Sequence, residues 1–197
     1  MGACGERTRD SERRMEYLDM ATPDADIGPL LDAVAFSARA HRPQVRKDGQ
    51  TPYVSHVFRV CLVVRHVFGV SDPRVLTAAV LHDTIEDTTT DYDDLRERFG
   101  NEVASWVSAL SKDMRRPEDE REKEYMATLA RSPWQVQVCK LADIFDNLVD
   151  CRHLPPEKQA TVRVRTHSYL QALRTELKPE VRPHWDTVAD LLKRIEG

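Results

Sequence analysis

The sequence predicts an all-α fold, a compact bundle of short helices, and two observations carry that expectation. Apolar residues recur at spacings of three and four through almost every segment after residue 24, with Pro, Gly and helix-capping residues between them. No segment alternates apolar and polar residues between hairpin turns, and no unit repeats at a fixed period.

Residues 1–24 are polar and unpatterned and read as a mobile tail, which leaves 25–197 as a single domain. In "IGPLLDAVAFSARAH" the residues Leu30, Leu31, Val34, Ala35 and Ala38 form the apolar stripe of a first helix, and Pro43 blocks its continuation. The loop "RPQVRKDGQTPYVS" follows. The helix "HVFRVCLVVRHVF" then runs to Gly69, a residue suited to a left-handed cap. Asp72 and Pro73 supply the N-cap and first turn of the next helix. Thr90 with Asp93 resembles a capping box, Gly100 closes the short helix it opens, and Asn101 caps another that carries Val103, Trp106, Val107 and Leu110. "KDMRRPEDEREKEYMATLARS" reads as a solvated helix laced with ion pairs. The more apolar "PWQVQVCKLADIFDNLVD" is separated by Pro155 and Pro156 from "EKQATVRVRTHSYLQALRTEL". A last helix, 180–196, closes the core through Val181, Trp185, Val188, Leu191, Leu192 and Ile195.

Composition narrows the function classes. A net charge of −4 over 197 residues gives no overall footprint for nucleic acid, although the basic run "RAHRPQVRKDG" can hold a phosphate, so a small anionic ligand is the expected partner. Cys4, Cys61, Cys139 and Cys151 have no C-x-x-C spacing and read as small apolar residues of a reducing compartment. The N-terminus lacks an apolar targeting core, and no run approaches a membrane span. Gly2 and Cys4 suggest acylation, but position 6 is Glu6 where that pattern needs Ser or Thr. The expected setting is cytoplasmic, without membrane contact. Oligomeric state is not legible.

The chemistry concentrates in "VLTAAVLHDTIEDTTTD", residues 75–91, where a helix bound for the core carries His82, Asp83, Glu86 and Asp87 one turn later. Buried charge shifts its pKa, finds a counter-charge or binds a metal. By spacing, His82 pairs with Glu86 and Asp83 with Asp87, which makes one polar face on a continuous helix. An imidazole and its neighbouring carboxylate leave a divalent cation short of ligands, so others must come from elsewhere. His56 opens the preceding long helix, and Asp143 interrupts an apolar one with Asn147 a turn beyond it. Each is odd as core and sensible as a ligand. Alone, His56 reads as a capping or hydrogen-bonded histidine, and Asp143 reads equally well as a buried carboxylate paired with Arg or Lys. Together, two histidines and two aspartates on three helices converge on one cation only if those helices pack. His41, His66, His153 and His184 lack partner spacing and read as structural.

The order H…HD…D within "RKDGQTPYVSH", "AAVLHDTIEDT" and "CKLADIFDNL" resembles the HD-domain metal-dependent phosphohydrolases. Within them it most resembles the small stand-alone RelA/SpoT-type guanosine-3′,5′-bis(diphosphate) 3′-pyrophosphohydrolases, from about Leu30 to Leu173. The resemblance implies an HD-domain bundle and metal ligation by His56, His82, Asp83 and Asp143, with Mn²⁺ the usual ion and Fe²⁺ or Zn²⁺ compatible with the ligand types. It implies that Glu86 and Asp87 activate and position the attacking water, that Arg46 and Lys47 lie over the guanine, that Asn147 approaches the ribose and that Arg163 approaches the phosphates. The chain is too short for the synthetase domain of long family members.

These roles suit the chemistry. A pyrophosphate ester repels nucleophiles through its own charge, which a divalent cation offsets, and Arg46 can stack its guanidinium on a base. The chain departs from the family pattern where Ile144 replaces a basic residue and Asp146 an aromatic or histidine. An expected Tyr aligns with His167, unless the register slips to Tyr169. Asp146 is expected either to border the nucleotide, disfavouring 5′ phosphates, or to face solvent or an arginine of "RVRTH". Two alternatives stay open: hydrolysis of another nucleotide or dinucleotide phosphate, and a catalytically idle nucleotide sensor. The pairing of Glu86 with Asp87 argues against the sensor, which needs no water activator.

Overall fold

The computed structural model describes residues 27–196, so the tail expected over 1–24, with Gly2 and Cys4, lies outside it. Helix α1 (Gly28–Ala40) buries Ala33 and Ser37 and packs Leu30, Val34 and Phe36 on the core. The buried stripe is thus rotated from the expected one: Leu31 is 49% exposed, and Ala35 is exposed as well. Both spacings are helical, and contact with the next helices selects one. Helix α2 (Val54–Leu62) continues through a π turn, Val63–Val67, to Gly69, whose φ of +72° favours glycine.

Helix α3 (Pro73–Leu81) starts at Asp72, whose side chain accepts from the Arg74 N–H, and all of Val75–Leu81 is buried. A separate turn, α4 (Thr84–Asp87), follows. In α5 (Tyr92–Leu110) the backbone breaks at Gly100, φ 85° and ψ 163°, where the sequence asks for a stop. Its capping box pairs Asp91 with Asp94, one residue beyond the expected Thr90 and Asp93. The carboxylate of Asp91 accepts from the Asp94 N–H at 2.9 Å, while Thr90 N–H is held by the Thr88 hydroxyl at 3.0 Å.

Helices α6 (Glu118–Arg131) and α7 (Trp134–Asp150) follow, then a 3₁₀ turn (Cys151–His153), α8 (Pro156–Arg174) and α9 (Arg182–Glu196). Among the described residues the nearest thing to a strand is an isolated bridge, Val45 to Pro52, and no helix is long and apolar enough to cross a membrane. Helix α3 lies in the centre, packed by α1, α2, α5 and α7, and α7 is in turn covered by α8 and α9. Val181, Val188 and Leu192 of the last segment are buried, as its stripe predicts. This arrangement brings the start of α2, the end of α3 and the middle of α7 together.

Candidate active site

Helix α3 stops where its sequence turns polar. The Thr84 hydroxyl donates to the Leu81 carbonyl at 2.7 Å, and Asp83 sits at φ −99°, ψ −2°, so His82 and Asp83 occupy a turn rather than one continuous helix. The expected single polar face is therefore bent. All four ionisable groups still line one cavity, but Glu86 turns to the Lys112 backbone N–H, while Asp87 lies beside the Tyr53 hydroxyl that Asp83 uses.

His82 and His56 are both buried, and each spends one ring nitrogen on a fixed acceptor. The Ala79 carbonyl lies 2.9 Å from His82 Nδ1, and an Asp146 carboxylate oxygen lies 2.6 Å from His56 Nδ1. Those oxygens only accept, so both Nδ1 atoms carry the hydrogen and both Nε2 atoms point inward. His56 Nε2 is 3.2 Å from an Asp143 oxygen and 3.6 Å from an Asp83 oxygen, and His82 Nε2 is 3.0 Å from that Asp83 oxygen and 3.9 Å from Asp143. Despite the 3.0 Å approach, His82 Nε2 is a buried atom with no aligned hydrogen-bond partner.

Imidazole lone pairs facing carboxylate oxygens repel unless a proton or a metal cation lies between them. The ligand atoms of His56, His82 and Asp143 lie within 4.8 Å of one another, and separations of 3.0–3.9 Å suit neighbouring ligands with bonds of about 2.0–2.2 Å. The residues thus fit a divalent cation. Their electrostatics agree: burial alone would lower His82, yet the adjacent Asp83 lifts it to about 9. His56 is likewise raised, against its burial, by bonds to Asp143 and Asp146. Burial would push Asp143 up, but Lys140 and the histidines hold it well below the carboxylate range.

Surrounding residues fix these groups. The Tyr53 hydroxyl donates to Asp83 at 2.6 Å and lies 3.1 Å from Asp87. Glu86 accepts the Lys112 backbone N–H at 2.8 Å, and burial raises its pKa; burial and Asp83 together raise that of Asp87. Asn147 donates to Asp143 at 2.6 Å, and Lys140 Nζ reaches the other Asp143 oxygen at 2.8 Å.

The loop motif has a physical basis of its own. Asp48 accepts from the Gln50 and Thr51 N–H groups at 2.9 Å each, and Gly49 takes φ +74°. That turn presents Arg46, which lies 5.6 Å from the Tyr53 ring centre and pairs with Asp150 at 2.7 Å. Burial and the nearby Arg46 and Arg165 lower the pKa of Lys47.

The cavity, of about 480 Å³, collects Arg46, Lys47, His56, His82, Asp83, Glu86, Asp87, Asp143 and Asn147. Arg163 does not line it. Arg163 turns toward Gln159, and Arg165 lines the wall, with Tyr169 one helical turn on. His167 instead meets Glu196 at the surface, 2.8 Å away. The slip that seats Tyr169 therefore moves the arginine by two positions as well. Asp146 follows neither expectation, since it is buried and bonded to His56 and Arg59 rather than facing a ligand, solvent or α8.

Sequence reasoning passed over Lys112, Tyr125, Lys140, Lys158 and Arg165, all of which line the cavity. Lys140 Nζ lies 4.6 Å from the Tyr169 ring centre, and Lys112 and Lys140 each lie 5.3 Å from that of Tyr125. A lysine three residues before Asp143, on an otherwise apolar helix, was the available signal.

The HD-domain profile matches residues 33–176. The guanosine-3′,5′-bis(diphosphate) 3′-pyrophosphohydrolase MESH1 of Homo sapiens is 37% identical over 144 residues, covering 73% of this chain and 80% of that protein. MESH1 of Xenopus tropicalis is 35% identical over the same shares. A solved metazoan ortholog of SpoT, described as hydrolysing ppGpp, superposes with a TM-score of 0.73 at 28% identity, over 85% of this chain and 96% of that one. The match to these proteins spans the helices that converge on the His/Asp cluster, and the chain belongs to the HD-domain family.

Proposed function

We propose that this chain is a metal-dependent guanosine-3′,5′-bis(diphosphate) 3′-pyrophosphohydrolase, working as one HD unit over 25–197. The observation that carries the reading is a single cavity holding a His/Asp cluster beside Lys112 and Lys140, with Arg46, Lys47, Lys158 and Arg165 on its other walls. Such a cavity suits a nucleotide with several phosphates. His56, His82, Asp83 and Asp143 would hold the divalent cation, Mn²⁺ first, which supplies charge neutralisation and water activation when bound.

The chain's own residues do the rest. Glu86, held by the Lys112 N–H and raised in pKa by burial, takes a proton from the attacking water. Asp87, 3.1 Å from the Tyr53 hydroxyl, orients that water. Water adds to the phosphorus bonded to O3′, the P–O3′ bond breaks, and the ribose oxygen takes up a proton from solvent as Glu86 returns its own, giving GDP and pyrophosphate. Lys140 and Lys112 offset the charge on the pyrophosphate that forms. Arg46, braced by Asp150, offers its guanidinium plane to the guanine, and Asn147 stands near the ribose. Arg165, rather than Arg163, faces the phosphates.

A panel of nucleotides tests this reading. With Mn²⁺ present, guanosine 3′,5′-bis(diphosphate) should turn over and GDP and GTP should not. Turnover confined to nucleotides without a 3′-diphosphate would overturn it. Arg46→Gln is expected to raise KM about 10- to 100-fold with kcat nearly unchanged, because a charged contact remote from the reacting phosphorus stabilises ground and transition states alike by roughly 1.5–3 kcal/mol. An equal fall in kcat at constant KM would place Arg46 at the reacting phosphate.

The cluster also predicts a pH signature in stability. His82 is raised to about 9 in the fold, so its contribution is full below its unfolded value of about 6.5 and is lost as pH rises toward the folded value. A cation replaces that proton, and its affinity grows as protons leave. The Tm gain from added Mn²⁺ should therefore be larger at about pH 8.5 than at about pH 6.5. Equal gains would place the ion elsewhere.

A further inference from the structure

Asp146 stands where the family pattern has an aromatic residue or histidine, and nothing in the reaction outlined above uses it. Its side chain is 3% exposed as a residue, deep enough that an unpaired carboxylate would be costly. Two groups from one face of α2 answer it. His56 Nδ1 lies 2.6 Å from Oδ2, and Arg59, three residues on, donates Nε to Oδ1 at 2.7 Å and Nη2 to Oδ2 at 2.9 Å. The guanidinium fork fixes the carboxylate plane, and the carboxylate fixes the imidazole. Arg59 also reaches Asp150 at 3.1 Å, whose other oxygen holds Arg46 at 2.7 Å. An alternating line of charges thus runs from the loop arginine to His56.

A purely structural ion pair would need only Arg59 and Asp146. Here the carboxylate is shared with a histidine whose opposite nitrogen faces Asp143 at 3.2 Å. A carboxylate in that place sets the ring tautomer, aims Nε2 into the cluster and makes it a stronger donor to a cation. We propose that Asp146, clamped by Arg59, is a positioning residue for His56 as a metal ligand, a device built from two positions of this chain that act together. The proposal rests on the reading of the His/Asp cluster as a metal centre.

The test is Mn²⁺ affinity, measured by titration calorimetry on the full chain without nucleotide. Asp146→Asn keeps the shape and removes the charge, and it should weaken Mn²⁺ binding at least about 10-fold, the lower end of what loss of an outer carboxylate costs. Arg59→Gln, at a half-exposed position that tolerates change, should weaken it by a smaller factor and serves if Asp146→Asn does not fold. Activity of Asp146→Asn should recover at high Mn²⁺ with the nucleotide KM unchanged. Wild-type Mn²⁺ affinity in folded Asp146→Asn, or in Arg59→Gln if the first variant is unfolded, overturns the proposal and leaves the metal centre intact. A wild-type protein that binds no Mn²⁺ overturns the metal centre itself.

Discussion

Asp83→Ala is expected to leave the protein without bound divalent metal and to lower turnover at least about 10³-fold, the several kcal/mol that a catalytic cation supplies. Asp83 carries this weight because one of its oxygens lies 3.0 Å from His82 Nε2 and 3.6 Å from His56 Nε2, and the Tyr53 hydroxyl holds it there at 2.6 Å. Removing it leaves at most three protein ligands and frees Tyr53. Metal content after dialysis, measured beside kcat, checks both halves. Full Mn²⁺ occupancy with lost activity would mean that Asp83 serves the water rather than the ion.

Glu86→Gln should do the reverse, keeping Mn²⁺ within about twofold of wild type while kcat falls about 10²- to 10⁴-fold, the usual range for loss of a general base. Its carboxylate is turned toward the Lys112 N–H at 2.8 Å, and burial raises its pKa, which moves it toward the pH at which a base works best. The base must be deprotonated to act, so in wild type kcat/KM should rise with pH on a limb displaced upward from the ordinary glutamate value of about 4.3. That limb should vanish in the variant. Near-normal turnover by Glu86→Gln would remove Glu86 from the mechanism.

What the sequence made legible was local. Gly69 and Gly100 at positive φ, and Asp72 as a cap, declare themselves because each solves a problem within a few residues. The His/Asp cluster was legible because ionisable groups on core-facing helices demand an explanation. Where two local solutions were equally good, tertiary contact decided: α1 turned Ala33 and Ser37 inward rather than Ala35, and the capping box formed at Asp91 rather than Thr90.

The break between Leu81 and Thr84 was hidden in a short hydroxyl side chain that competes for a backbone carbonyl. Lys112 and Tyr125 were hidden in a run so dense in charge that a solvated helix explained it. Two arginines and two aromatic candidates in "RVRTHSY" fit the same spacing, and only the packed helix seats Arg165 and Tyr169 in the cavity. The partner of Asp146 could not be read at all, because Arg59 is 87 positions away and the α2–α7 contact creates the pair.

The most direct test of the central claim is the fate of guanosine 3′,5′-bis(diphosphate) on the Mn²⁺-loaded protein in ¹⁸O-labelled water. Attack at the phosphorus bonded to O3′ predicts GDP and pyrophosphate in equal amounts, with the label in the pyrophosphate and none in GDP. Release of orthophosphate, label in the guanosine product, or an intact substrate would contradict the account.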